Sequence, residues 1–183
     1  MKKKLDSIEL DLDLLFIHIK GKWKPDEQEK RAAWELYIEL VTRISVVELK
    51  KSEGILREAL SSLYSLFPTT RQVLRNYGPS IAVTHEDADY SLARLAVNFL
   101  NYELRPILSK WHPLLQDYEE KREKGVSIKD HEDRWEMNQE LRNVFNNSRI
   151  ALIEYSKFLA LAAGIEPLLE EKRIRTDHGI VQA

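Results

Sequence analysis

The chain has no cysteine among its 183 residues, which excludes disulfides, thiolate metal sites and cysteine nucleophiles. Glycine and proline are scarce, with six of each, and they lie between stretches of helical periodicity. No stretch reaches about 18 consecutive apolar residues, so the sequence predicts no membrane span. Acidic residues interrupt the apolar segment that follows the basic start, which argues against a signal peptide. We therefore expect a cytoplasmic protein.

Charge of either sign is nearly balanced, with 28 Lys and Arg against 30 Asp and Glu, a net charge of −2. This balance gives no overall attraction to nucleic acid or to anionic membranes. A content of 43% hydrophobic and 32% charged residues is typical of a soluble globular protein. The length fits one domain. We expect a single helical domain over residues 1–165 and a charged, mobile tail over residues 166–183.

The spacing of apolar residues predicts an all-α fold, an elongated bundle of five or six helices, two of them long. Short polar residues and proline mark the expected helix starts, and glycine marks the expected ends. The predicted helices cover residues 25–49, 52–67, 69–77, 85–124 and 128–163. Their expected N-terminal residues are Pro25 and Asp26, Ser52, Thr84 and Ser127.

Residues 5–20 fit two patterns. Their apolar side chains recur at helical steps of three and four, yet the segment "IELDLDL" also alternates as a strand does. A strand here would need a partner, and the other strand-like piece is the terminal "GIVQA". We favour a helix and keep a short N-terminal strand as the alternative.

Arg105 and His112 lie seven residues apart in "LRPILSKWHP", and each directly precedes a proline. This pair resembles the R-x4–6-H motif of HEPN ribonucleases, which are helical bundles that cleave RNA at a dimer cleft. The resemblance implies that His112 acts as general acid and base and that Arg105 holds the phosphate. Pro106 departs from the motif, because a polar residue usually follows the arginine. The alternative, which we favour, is a kinked helix whose Arg105 and His112 face backbone carbonyls freed by the prolines, or solvent.

A polar stripe follows the same predicted helix. It comprises Asp87, Ser91, Arg94, Asn98, Asn101 and Arg105, while the opposite face carries Leu92, Leu95, Ala96, Phe99 and Tyr102. The middle of the stripe offers hydrogen-bond donors with no acid on that face. Such donors suit a phosphate, a nucleotide or an acidic partner, or a glutamate from a neighbouring helix.

Two clusters, "HED" at residues 85–87 and "DHED" at residues 130–133, contain potential metal ligands. A two-metal helical bundle would need Glu-x-x-His pairs on facing helices, and the sequence has none. Acidic residues also suit helix starts through the helix dipole. We expect neither a metal nor a cofactor.

The sequence contains no phosphate-binding glycine loop, nucleophile elbow or zinc-protease motif. Two segments, "WELYIELVTRISVVEL" and "LRPILSKWHP", resemble parts of a bacterial helical family, from which no function follows. We predict a non-enzymatic interaction, regulatory or assembly subunit of a cytoplasmic bacterial system, whose partner is another protein or a second copy. The candidate binding residues are Arg94, Asn98, Asn101, Arg105 and Trp111. The alternatives are the HEPN-like ribonuclease with Arg105 and His112, which alone implies a nucleic-acid partner, and a sensor of a phosphate-bearing ligand.

Overall fold

An antiparallel hairpin precedes the helices in the computed structural model, which describes residues 7–46, 48–50 and 53–169. The strands are β1 (Ile8–Asp13) and β2 (His18–Trp23). The helices are α1 (Glu27–Val41), α2 (Leu56–Tyr64), α3 (Leu66–Tyr77), α4 (Leu92–Asn98), α5 (Arg105–Glu119), α6 (Ile128–Asp133) and α7 (Asn138–Ala162). A π-helical segment, Phe99–Leu104, joins α4 to α5, and 3-10 turns cover Ile44–Val46 and Gly78–Ala82.

The protein is thus mostly helical, and the all-α class is confirmed only in part because of the hairpin. Helix α1 lies at the centre and packs against α7 and α3. No helix in the described ranges is both long and apolar enough to cross a bilayer. Residues 170–183 lie outside the described part of the chain, so the expected tail and its "GIVQA" segment stay predictions.

The helix that we favoured over residues 5–20 is wrong for the described part of this segment. Strand β1 pairs with β2 in the register Ile8 to Trp23 and Asp13 to His18. Alternate β1 residues are buried, and the acidic ones between them are exposed. The alternation predicts this strand correctly, but its partner is the next segment of the chain and not the distant C-terminus.

Two predicted helix starts are confirmed by side-chain caps. The Asp26 carboxylate accepts from the backbone N–H groups of Gln28 and Glu29, each at 2.8 Å, and Glu29 bonds back to complete a capping box. The Ser127 hydroxyl accepts from the N–H of Asp130 at 3.0 Å. At a helix start, a short polar side chain accepts a hydrogen bond from a backbone N–H that has no partner within the helix. Because the two groups are neighbours in the chain, such a cap can be predicted from the sequence.

Other boundaries are wrong. Helix α1 ends at Val41, not near residue 49, and the helix expected over 128–163 is divided between α6 and α7. Helix α2 ends before Pro68, which lies instead in the first turn of α3, where its missing N–H is not needed. The expected cap Ser52 lies outside the described residues.

The helix expected from Thr84 begins only at Leu92, with Ser91 as its N-cap. The preceding loop is bound to β2, because Lys22 and Asp89 exchange hydrogen bonds at 2.8 Å in both directions. Side chains such as Asp89, which we placed on the helix, form this connection instead. Backbone pairing with β2 therefore outweighs the local helix signal of the acidic run.

The long helix contains a π-helical turn directly before Pro106. A proline in a regular helix clashes with the carbonyl four residues earlier, and a π turn opens the backbone at that point. The extra residue rotates the side chains around the axis. Tyr102, expected on the apolar face, is 58% exposed, whereas Glu103 is completely buried.

Glu103 binds the turn of the hairpin. Its two carboxylate oxygens accept from the backbone N–H groups of Leu15 and Phe16, each at 2.9 Å. Burial raises the pKa of Glu103, although these hydrogen bonds act in the opposite direction. The contact attaches the hairpin to the π-helical segment.

We predict that Gly21→Ala destabilises the protein by at least about 1 kcal/mol. Gly21 has a φ of +151°, and an added Cβ would lie 2.8 Å from Asp89 Oδ2 and 2.9 Å from the Tyr90 ring. Thermal unfolding measures the loss. Gly125→Ala is the matched control for a positive φ, because an added Cβ meets nothing within 4 Å there. Equal losses in the two variants would contradict the steric argument.

We predict that the cost of Glu103→Gln decreases as the pH rises. A raised folded-state pKa means that wild-type stability is fully present below the unfolded pKa and is lost as the pH passes through the folded pKa. Glutamine does not titrate, but its amide group leaves one backbone N–H without an acceptor, at a cost of about 1–3 kcal/mol. Denaturant unfolding from pH 4 to pH 7 measures both effects. A cost that grows with pH would contradict the prediction.

Candidate functional site

A continuous surface joins Arg105 and His112 through two aromatic rings from the neighbouring helices. The Arg105 guanidinium lies 5.4 Å from the centre of the Phe67 ring, and the Phe67 and Tyr64 rings stack at 6.4 Å. The Tyr64 ring meets His112 edge to face at 5.9 Å. We call Tyr64, Phe67, Arg105 and His112 the α2–α5 face, and it is the candidate functional site.

The short break between α2 and α3 places both rings on this face. Tyr64 is the last residue of α2 and Phe67 lies in the first turn of α3. Helix α2 packs against α5, which carries Arg105 and His112 two turns apart. The side chain of Tyr64 is 59% exposed and that of Phe67 is partly buried.

Arg105 is fixed in position but keeps its charge available. Its Nε and Nη2 atoms donate to Asn101 Oδ1 at 3.1 and 2.7 Å. Asn101 is neutral, and within the described ranges no carboxylate lies within ion-pair distance of this guanidinium. A preorganised cation over an aromatic ring can bind an anion with little further loss of entropy.

His112 is engaged with Arg57. Its Nδ1 lies 2.9 Å from Arg57 Nη1. Because a guanidinium can only donate, Nδ1 accepts and the proton of the neutral ring lies on Nε2. That Nε2 is buried and has no hydrogen-bond partner among the described residues. Burial lowers the pKa of His112, and the charge of Arg57 lowers it further, while Glu119 opposes both.

Arg57 is itself oriented by two acidic groups. Its guanidinium donates to both oxygens of Glu119 at distances of 2.7 to 3.1 Å. Its backbone N–H donates to the buried carboxylate of Glu132 at 3.1 Å, and Leu56 N–H donates to the same group at 2.7 Å. Glu132 thus caps α2, and Glu119 directs Arg57 towards His112.

The structure separates the residues that the sequence grouped into one stripe. Arg94 lies 5.8 Å above the Tyr90 ring, while Asn101 and Arg105 bind each other further along the helix. Asn98, between them, is half-buried. Arg94 therefore lies apart from the pair of Asn101 and Arg105.

Trp111 lies in the core and is 2% exposed, with its ring edge to face with Trp135 at 6.1 Å. The α2–α5 face therefore does not include Trp111.

Tyr64 and Phe67 were not identified from the sequence. They lie three residues apart in the chain, and this spacing places two side chains on one side of a helix.

Metal ligands lie close together at another place, the N-terminus of α1. Asp26, Glu29 and His85 each offer a ligand atom there, all within 4.8 Å of one another, and they form the only such group of three in the described ranges.

Neither a protein-family model nor a curated protein nor a solved structure matches this chain. The geometry of the chain is therefore the basis of the functional argument.

We predict that Arg57→Met raises the pKa of His112, because it removes a neighbouring positive charge and leaves Glu119 in place. NMR titration of the imidazole signals measures the midpoint, which in the wild type lies below the ordinary value for histidine. An unchanged or lower His112 midpoint in the variant would show that Arg57 does not act on this ring.

Proposed function

We propose that the protein is a non-enzymatic interaction subunit that binds an acidic segment of another protein through the α2–α5 face. The observation that carries the proposal is the Arg105 guanidinium, which Asn101 and Phe67 hold in place without a carboxylate partner in the described ranges. A cytoplasmic, bacterial setting and a regulatory or assembly role stay predictions from the sequence.

The composition of the face supports this proposal. Tyrosine, tryptophan and arginine are enriched among the residues that contribute most to binding between proteins. The Phe67 ring contacts the Tyr64 ring on one side and the Arg105 guanidinium on the other. An apolar surface therefore lies next to a positive charge. A partner segment with a carboxylate next to an apolar side chain would fit both. A second copy of the chain is another possible source of that segment, and the experiment below distinguishes the two.

The ribonuclease alternative finds less support in the geometry. A general acid and base needs a ring nitrogen within hydrogen-bond reach of the substrate. In His112 one nitrogen accepts from Arg57 and the other is buried. The lowered pKa also favours the neutral ring, whereas protonation of a leaving group needs the charged form.

The phosphate-sensor alternative has weaker geometric support as well. Recognition of a phosphate by several donors needs them to converge on one point. Arg94 and Arg105 instead contact different aromatic rings, Tyr90 and Phe67.

The proposal is tested by placing a photo-crosslinking phenylalanine derivative at Tyr64 and, as a control, at Ile150 of α7, which is 49% exposed. We expect a discrete adduct in the host cells from position 64 that position 150 does not give. Mass spectrometry identifies the adduct as another protein or as a second copy of this chain. The identified protein is then purified and its dissociation constant measured.

Arg105→Glu should weaken this binding at least tenfold, about 1.4 kcal/mol, because it reverses the charge that faces the acidic segment. Arg105→Lys should restore part of the affinity, and Ile150→Ala should leave it unchanged. Circular dichroism confirms that each variant folds. Equal binding by wild type and Arg105→Glu, or equal crosslinking from the two positions, would reject the α2–α5 face as the binding site.

A further inference from the structure

Three potential metal ligands converge where β2 leads into α1. Asp26 is the N-cap of α1, Glu29 lies in its first turn, and His85 belongs to the loop before α4. His85 Nε2 lies 3.5 Å from Asp26 Oδ2 and 3.7 Å from Glu29 Oε2. All three ligand atoms lie within 4.8 Å of one another.

Each carboxylate uses its other oxygen to fix its own orientation. Asp26 Oδ1 accepts from the N–H groups of Gln28 and Glu29, which leaves Oδ2 directed at His85. Glu29 Oε1 accepts from Trp23 Nε1 at 3.1 Å and from Leu92 N at 2.6 Å. Its Oε2, the oxygen that faces His85, also accepts from the N–H of Asp26 at 3.1 Å, which fixes the carboxylate further. Supporting hydrogen bonds of this kind orient the ligands of metal sites.

The loop that carries His85 is equally constrained. Asp89 exchanges backbone and side-chain hydrogen bonds with Lys22, and the Lys24 ammonium donates to the Glu86 carbonyl at 3.1 Å. Tyr90 forms a β-bridge to Trp23. The segment that follows His85 is thereby held against β2 and the residue after it, which restrains the position of the imidazole.

His85 Nε2 is buried and has no hydrogen-bond partner in the part of the chain that the structure describes, although two carboxylate oxygens face it. Its distances to them exceed those of a charged N–H···O bond, which are about 2.7–2.9 Å. They are close to the separation of about 3.4 Å between ligands of a tetrahedral ion with bonds of 2.0–2.1 Å. A cation between the three atoms would satisfy Nε2 and be bound by both oxygens at once.

We propose that Asp26, Glu29 and His85 form a binding site for one divalent transition-metal ion, of which zinc fits best. One imidazole and two carboxylates suit zinc, whereas magnesium and calcium prefer oxygen ligands. Water or a partner group completes the coordination on the open side, where 37% of the His85 side chain is exposed. The ion joins the loop before α4 to the start of α1 and offsets the repulsion between the two carboxylates. This site is independent of the α2–α5 face.

The test uses the full chain without a histidine tag, freed of metal by a chelator, and titrated with zinc chloride by calorimetry. We expect one zinc ion per chain and a thermal midpoint that rises with zinc concentration, since binding to the folded state stabilises it. In nitrogen NMR spectra, zinc should shift the His85 Nε2 signal. Magnesium chloride at the same concentration should produce neither effect.

Three variants assign the site. His85→Ala and Asp26→Asn should each lower the zinc affinity at least about tenfold, and asparagine at position 26 retains the N-cap. His18→Ala is the matched control, because His18 lies on the surface beside a single carboxylate, Asp11. It should leave the affinity unchanged.

The outcomes are decisive in both directions. Absence of calorimetric binding, a stoichiometry that His18→Ala reduces, or full affinity in His85→Ala would overturn the proposal. A folded His85→Ala variant that loses the zinc-dependent stabilisation would establish it. Chemical denaturation without zinc confirms that the variant retains the wild-type fold.

Discussion

Three buried glutamates hold together segments of this protein that are far apart in the chain. Glu29, Glu103 and Glu132 have no exposed surface. Each accepts backbone N–H groups that would otherwise be left without partners: Leu92 at the start of α4, Leu15 and Phe16 in the hairpin turn, and Leu56 and Arg57 at the start of α2. A buried carboxylate is costly, and in all three residues burial raises the pKa. The cost of burying each carboxylate is offset by its hydrogen bonds to these N–H groups, because an N–H that is buried without an acceptor also destabilises the fold.

These contacts also locate the two sites of the molecule. Glu132 caps α2 and sets the position of Arg57, which donates to His112 on the α2–α5 face and adds to the lowering of its pKa by burial. Glu29 fixes the start of α4 and also faces His85. The same type of side chain therefore serves as a structural acceptor at one site and as part of a proposed ligand set at the other.

The features that were predictable from sequence depend on neighbours in the chain. The cap residues Asp26 and Ser127 bind N–H groups two or three residues ahead, and Gly78 ends α3 with a φ of +71°. The hairpin was not predicted, because "HIKGKW" has little strand signal of its own. It becomes a strand because β1 supplies hydrogen-bond partners and a buried face. A helical and an alternating pattern coexist in residues 8–13, and only tertiary pairing distinguishes them.

The candidate sites were less predictable than the fold, because their residues meet only in three dimensions. Arg105 was identified from sequence, but its aromatic support from Phe67 comes from 38 positions earlier in the chain (105 − 67). His85 and Asp89 lie four residues apart, so a helix over this segment would place them on one face as potential metal ligands. Asp89 instead binds Lys22, and this bond places His85 against α1. The residue types were visible, whereas their partners depended on where the loop folds.

The π-helical turn connects folding and function most directly. In a regular helix with about 100° per residue, Glu103 would lie about 20° from Leu92 around the axis, on the buried side, and Tyr102 about 80° from it, at the margin of that side. The π turn before Pro106 holds more residues per turn, which turns Tyr102 further towards solvent. Glu103 stays on the buried side and reaches the hairpin, while Tyr102 lies one position from Asn101, the residue that holds Arg105. The π turn thus separates the carboxylate that holds the hairpin from an exposed tyrosine beside the proposed binding face.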